Sequence, residues 1–273
     1  MITPERLIQK TKVFLLDLDG TLYLGETPIG RVQETLALLR AAGKKLVYCT
    51  NNSSKTPSEY VRKLEKIGLW GEGDMVYTSG IAAAEYLKKY RPKERVYALA
   101  TDEVKADLAA RGVPLDEENP DVCLLAYDTS LTFAKMKKFN EFLCAGKFYA
   151  ATHPDAVCPA LPCPMPDVGS FIEMFRVSSG RTPDVVCGKP CPVMGEGLES
   201  LLGVEKGEVA MVGDRLHTDI RFANCSGFTA VLVLSGETTA EMAAASADRP
   251  DIVLKAFDDL LPLLAAENSA KSV

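Results

Sequence analysis

Short apolar runs alternate with longer amphipathic stretches along most of this chain, and that alternation predicts its elements. VFLL (13–16) reads as a buried strand that runs into Asp17-Leu18-Asp19. Pro28 to Ala41 follows as a helix, with Val32, Leu36 and Leu39 on one face and a stop at Gly43. KLVYCTNNS (45–53) is the next strand with its exit, and PSEYVRKLEKIG (57–68) the next helix. MVYTSG (75–80) and a helix from Ile81 to Tyr90 repeat the unit. Fully apolar strands separated by helices of this length predict a parallel sheet covered on both faces.

The same pattern restarts at RVYALA (95–100). DVCLLAYD (121–128) reads as a strand, TFAKMKKFNEFLCAG (132–146) as a helix and KFYAATHPD (147–155) as a strand with a polar exit. Residues 157–169 carry four prolines and two cysteines and read as a stiff loop without regular elements. A helix over Phe171–Ser178 comes next. DVVCGKP (184–190), EVAMVGDRLHTDI (208–220) and AVLVLSG (230–236) are three further strands with polar exits, and DIVLKAFDDLLPLL closes the pattern.

Four polar strand exits stand out, at 17–19, 50–52, 188–190 and 213–219, and residues 80–182 contribute none of them. An insertion is the economical account. The expected organisation is a Rossmann-like parallel α/β core made of residues 1–79 and 183–273, with an inserted α/β cap of residues 80–182.

Ligands of open α/β sheets bind beyond the carboxyl ends of the strands, where these exits lie. Asp17 and Asp19 start on the same face of a strand because strands alternate with period two. An aspartate-glycine turn would be spelled the same way. The other exits favour a cation: Asp17, Asp19 and Asp214 are hard oxygen donors, which suit Mg2+ better than a softer metal. Thr50, Asn51 and Asn52 add neutral hydrogen-bonding groups and Lys189 a fixed positive charge. Around Mg2+, that set matches what phosphoryl transfer requires, since most of its catalysis is positioning and charge stabilisation.

The quoted words DLDGTLY (17–23), CTNNSSK (49–55), ATHPD (151–155), CGKP (187–190), GDRLHTDI (213–220) and LVLSGETT (232–239) resemble the haloacid dehalogenase-like superfamily. More closely, they resemble its phosphatases of the NagD and 4-nitrophenylphosphatase type, in which a cap is inserted between the second and third motifs. The resemblance implies a Mg2+-dependent phosphatase acting on small phosphate monoesters through an aspartyl-phosphate. By the same resemblance, Asp17 is the nucleophile and Asp19 the general acid and base, whose backbone carbonyl also faces the metal. Thr50 binds a phosphoryl oxygen beside Asn51 and Asn52, and Lys189 holds Asp17 and the phosphoryl group. Asp214 binds the metal directly, and Asp219 binds or orients its ligands. His153, in a cap loop, is expected to meet substrate, with an uncommitted loop histidine as the alternative. His217 reads as a surface residue. Within the loop, Leu161 and Met165 are candidate apolar contacts for a leaving group.

Composition narrows the remaining classes. The chain has 273 residues, is 47% apolar and 25% charged, and carries a formal charge of −6. Its short basic clusters give no footing for a nucleic-acid backbone. It has no apolar run long enough to span a membrane, and MITPERLIQKTK lacks the apolar segment of a secretory signal. The eight cysteines are therefore expected as reduced thiols, and the spacings of Cys158–Cys163 and Cys187–Cys191 do not form a zinc knuckle pair. These features predict a cytoplasmic protein; the resemblance implies an enzyme, expected as a monomer or homodimer, whose partner is a small phosphorylated metabolite.

Overall fold

The computed structural model describes residues 2–159 and 162–271, with side chains described as far as residue 266. Leu161, a candidate leaving-group contact, lies outside the described residues. In chain order the strands are β1 (Val13–Leu16), β2 (Tyr23–Leu24), β3 (Thr27–Pro28), β4 (Lys45–Thr50), β5 (Met75–Thr78), β6 (Val96–Leu99) and β7 (Val122–Leu125). They continue with β8 (Phe148–Ala151), β9 (Val157–Cys158), β10 (Met165–Pro166), β11 (Val185–Val186), β12 (Val209–Gly213), β13 (Thr229–Val233) and β14 (Ile252–Leu254).

Two compact units result. The first comprises Met1–Cys49, Ser58–Tyr77 and Leu198–Val273, and the second Thr50–Pro57 and Thr78–Gly197. A six-stranded sheet in the order β14-β13-β12-β1-β4-β5 underlies the first. Its strands are parallel wherever the register is defined, as in Leu16 opposite both Val212 and Tyr48. β1, β12 and β13 are buried along their whole length, which explains their unbroken apolar runs. The chain order reverses direction at β1, so the exits of β1 and β12 form a switch point. Phe14, Leu16, Leu36, Leu39, Val212, Val231 and Phe257 share its core.

A separate four-stranded sheet, β11-β8-β7-β6, forms the second unit. Its core is aromatic: Phe139 stacks on Phe175 with centroids 4.7 Å apart and meets Tyr149 edge-on. Among the described residues of 95–180, no strand joins the sheet of β1.

Three local expectations are corrected. The helix expected from Pro28 begins at Val32, because Thr27–Pro28 pair with Tyr23–Leu24 as a small antiparallel ribbon. The proline-rich loop contains the antiparallel ribbon β9–β10, in which Met165 lies opposite Cys158 and Pro166 occupies an edge where its missing N–H costs nothing. The apolar pair Val185–Val186, expected as a strand of the core, pairs in parallel with β8 instead. For the same reason the contact-defined units differ from the boundaries expected from sequence. Residues 50–57 and 184–197 group with the second unit, where Asn51 bonds to Lys189 and Ser53 to Thr152.

All eight cysteines are free thiols. Among the described residues no helix is long and apolar enough to cross a membrane.

Candidate active site

At the end of β1 the backbone continues its ladder one residue further, as Asp17 N–H donates to Val212 O at 2.9 Å. The chain then folds back sharply. Gly20 has φ +82°, its N–H donates to Tyr23 O at 2.9 Å, and Asp19 bridges to Tyr23. Positive φ calls for glycine, and so does the space, because a Cβ at Gly20 would sit 2.5 Å from Asp214 Oδ2. On β12 the exit is Gly213-Asp214, followed by a wide single turn of π-helix over Leu216–Ile220 that carries Asp219 inward. Such turns are common at functional sites because they re-aim one side chain. His217, on the same turn, is exposed.

These exits bring Asp17, Asp214 and Asp219 together, with one carboxylate oxygen from each lying within 4.8 Å of the others. Asp214 and Asp219 are 2% and 1% exposed, and Asp17 is half-buried. Asp214 is held from two sides: Thr21 Oγ1 donates to Oδ1 at 3.1 Å and Glu237 N–H donates to Oδ2 at 2.8 Å. Asp219 Oδ2 accepts Arg215 N–H at 3.1 Å. Ser235 Oγ closes the cradle by donating to Gly20 O at 2.8 Å. A Cβ on Gly236 would stand 2.0 Å from Asp214 Oδ2, so only glycine fits there.

Three carboxylates at this spacing repel one another, and burial removes the water that would screen them. Burial, followed by the neighbouring charge of Asp17, pushes the Asp214 carboxyl up to about 6, against opposing bonds from Glu237 N–H and Thr21 and the charge of Arg215. An all-oxygen set with this surplus of negative charge fits a hard divalent cation. The Asp19 carboxyl is not part of the trio and remains largely exposed. Partial desolvation nevertheless raises it above the usual carboxylate range, with the positive charges of Lys63 and Arg215 and a bond from the Gly25 backbone opposing. Lys63 Nζ sits 3.9 Å above the Tyr23 ring.

The other sequence candidates gather in the second unit. Thr50 and Asn51 are buried, and Thr50 Oγ1 accepts Asn52 N–H at 3.2 Å. Asn51 grips the backbone of Lys189 on both sides: Lys189 N–H donates to Oδ1 at 2.8 Å, and Nδ2 donates to Lys189 O at 2.8 Å. The second Nδ2 proton goes to Asp155 Oδ2 at 3.1 Å. Both side-chain protons of Asn51 are thus committed to protein. Asn52 is half-buried, its Oδ1 accepting Ser54 N–H at 2.9 Å. Lys189 is 1% exposed, an environment a lysine tolerates only with anionic or polar company.

His153 is enclosed by protein. Its ring is fully buried, Nε2 lies 3.0 Å from Asp167 Oδ1, and Nδ1 lies 3.1 Å from Thr152 Oγ1 and 3.3 Å from Ser79 Oγ. With both nitrogens engaged, it has no edge to offer a substrate. Sequence reading did not single out Thr21, Gly236, Asp155, Ser79 or Asp167. Thr21, Gly236 and Asp155 lie inside quoted motifs and were open to notice; Ser79 and Asp167 matter through tertiary contacts that no local pattern reveals.

The haloacid dehalogenase-like hydrolase family matches residues 14–114, and a second HAD-hydrolase-like family matches residues 186–260. An acid sugar phosphatase of Staphylococcus aureus is 31% identical over 235 residues, covering 86% of this chain and 90% of that protein. The chain belongs to the haloacid dehalogenase-like hydrolases. Within them it is a phosphatase of the NagD and 4-nitrophenylphosphatase type. A 4-nitrophenylphosphatase from Thermotoga maritima superposes with a TM-score of 0.89 at 40% identity, covering 94% of this chain and 98% of that one. A glycerol phosphate phosphatase from Mycobacterium tuberculosis, solved in complex with magnesium, superposes with a TM-score of 0.86 at 27% identity, covering 93% of this chain and 78% of that one.

Proposed function

We propose that this phosphatase is Mg2+-dependent and hydrolyses small phosphate monoesters through an aspartyl-phosphate on Asp17. The observation that carries the reading is the convergence of Asp17, Asp214 and Asp219 within 4.8 Å at the carboxyl ends of adjacent parallel strands. Asp17, Asp214 and Asp219, with the backbone carbonyl of Asp19, would hold the cation, whose charge would offset that of the phosphoryl group. The magnesium complex of the mycobacterial relative supports that choice.

In the first half of the cycle, a carboxylate oxygen of Asp17 attacks phosphorus as the ester P–O bond breaks. Asp19 gives its proton to the departing oxygen, a role that suits a carboxyl whose proton is held more tightly than usual. In the second half, Asp19 takes a proton from water as the water oxygen bonds to phosphorus. The bond from Asp17 to phosphorus then breaks, releasing inorganic phosphate. Lys189 and the Thr50 hydroxyl balance and orient the phosphoryl oxygens, and Asp219 keeps the metal-facing carboxylates in register.

Functionally, residues 1–79 and 183–273 serve as the catalytic core and residues 80–182 as the inserted cap. The substrate class is a small phosphorylated metabolite, with the sugar phosphatase and glycerol phosphate phosphatase relatives marking the compounds to try first. Assay of such a panel with Mg2+ and with EDTA tests the proposal. Turnover of at least one ester that disappears with EDTA and returns with Mg2+ is expected; undiminished turnover in EDTA would overturn the metal dependence.

A further inference from the structure

His153 and Asp167 form a buried pair that the reaction just described does not use. Asp167 also caps the helix Val168–Ser179, its Oδ1 accepting Val168 N–H at 2.7 Å. It therefore sits where the β9–β10 ribbon ends and the helix begins. As an acceptor of both bonds, the Asp167 carboxylate fixes the His153 proton on Nε2. Nδ1 is then an acceptor, and Thr152 Oγ1, 3.1 Å away, is the hydroxyl able to donate to it. Ser53 Oγ joins Thr152 Oγ1 at 2.9 Å and itself accepts Tyr127 N–H at 2.9 Å, so this hydroxyl row is supplied with protons from behind.

Ser79 occupies the other side of the ring. Its one proton goes to the backbone carbonyl of Asn51, and its oxygen lies 3.3 Å from His153 Nδ1. The imidazole edge thus stands directly behind the hydroxyl that holds Asn51 O, while the Asn51 side chain holds both the N–H and the C=O of Lys189. Gly188 shows how closely the parts converge. Its N–H donates to Thr152 O at 2.6 Å, and a Cβ there would come within 2.6 Å of Thr152 O, 2.7 Å of Asn51 Oδ1 and 2.9 Å of Ser79 Cβ. The side chains of Asp167, His153, Thr152, Ser79 and Asn51 each make at least one hydrogen bond to protein. A buried network of this kind resists displacement, because any shift leaves a buried group unsatisfied.

We propose that His153, locked by Asp167, and Asn51 are positioning residues for Lys189: they set the placement of the lysine backbone through Ser79 and touch no substrate. The inference rests on the reading of Lys189 as the group that balances phosphoryl charge. It implies that the end of the proline-rich ribbon is coupled to the lysine through buried bonds and, between His153 and Ser79, through close packing.

The test uses the full chain and the variants Asn51→Ala, Ser79→Ala, His153→Phe and His153→Gln, with two readouts. The first is hydrogen exchange at the Lys189 amide, which needs no catalysis. Asn51→Ala should remove its protection, and Ser79→Ala and His153→Phe should each accelerate exchange about tenfold or more, as expected when a buried bond loses its support. His153→Gln, which retains an N–H for Asp167, should restore part of the protection. The second is steady-state hydrolysis of p-nitrophenyl phosphate and an alkyl phosphate with Mg2+. Here kcat should fall by the same factor on both esters with KM little changed, and Asn51→Ala combined with His153→Phe should lose no more than the larger single loss. Unaltered Lys189 exchange in Ser79→Ala and His153→Gln would overturn the proposal even if His153→Phe fails to fold. So would a His153 variant that reorders the two esters, since that would mark a substrate contact. Wild-type protein inactive on both esters would instead count against the phosphatase mechanism, leaving the exchange result to judge the positioning role.

Discussion

The two groups of polar side chains are built on opposite principles. In the first unit, Asp17, Asp214 and Asp219 crowd three negative charges together. In the second, Asn51, Ser79, Thr152, His153 and Asp167 pair off with one another and with backbone groups. The first arrangement is at odds with itself until a cation arrives; the second is complete as it stands. A cluster of like charges points outward, to a ligand, whereas one that satisfies itself points inward, to the holding of a neighbour. Burial does not separate the two, since Asp219 and Lys189 are each 1% exposed.

Perturbing the first cluster should therefore produce changes in chemistry. Asp17→Asn keeps the shape and removes the carboxylate proposed as nucleophile, and turnover should fall by at least about a thousandfold, given how slow uncatalysed phosphate ester hydrolysis is. Purified variant within about tenfold of wild type would remove Asp17 from that role. Asp19→Asn should cost about 10²–10⁴-fold on an alkyl phosphate, whose leaving oxygen needs a proton, and much less on p-nitrophenyl phosphate. Equal losses on the two would exclude general acid catalysis by Asp19.

The Asp214 carboxyl makes the comparison visible as a pH dependence. Its folded-state value of about 6 lies above its ordinary 3.8, so between those pH values the native state keeps a proton that the unfolded chain gives up. Stability of the metal-free protein should accordingly fall as pH rises through that window, this one group accounting for roughly 3 kcal/mol. Mg2+ competes with the same proton, so the rise in Tm on adding Mg2+ should be larger at pH 7.5 than at pH 5. Asp214→Asn should abolish the difference, and metal-free it should be more stable than wild type at pH 7.5. A rise in Tm that is the same at both pH values would contradict the assignment of Asp214 as the group that exchanges a proton for the metal.

Gly236→Ala addresses the cradle with a smaller change. The new methyl would overlap Asp214 Oδ2 and displace the carboxylate. Isothermal titration should find Mg2+ affinity lowered about tenfold, the scale typical of changes to groups that orient metal ligands. Unchanged affinity would mean that the Glu237–Thr21 cradle does not set the position of Asp214.

Much of the first unit was legible in the sequence, because its strands are buried on both faces and spell continuous apolar runs that end in Asp17 and Gly213-Asp214. Asp17 and Asp214 could be read from those endings, whereas Asp219 was marked only by the family resemblance, and Asp19, read with them, lies outside the trio. The second unit was harder. Val185–Val186 is as apolar as a core strand, and only the tertiary pairing with β8 shows which sheet it joins. Thr27–Pro28 carries no signal that separates a ribbon from a first helical turn. His153 looked available because its loop, ATHPD, resembles the cap loop that faces the core site in this family. Whether a loop histidine is enclosed depends on Ser79 and Asp167, which are distant from it in sequence and unremarkable in local pattern.

The central claim is that Asp17 is transiently phosphorylated. Its most direct test is mass spectrometry of protein quenched in acid during turnover of p-nitrophenyl phosphate with Mg2+, followed by proteolysis. The account predicts one added phosphoryl group on the peptide containing Asp17, present in Asp19→Asn and absent from Asp17→Asn and from samples lacking ester. A phosphoryl group found on any other residue, or wild-type turnover that leaves the Asp17 peptide unmodified at every quench time, would contradict it.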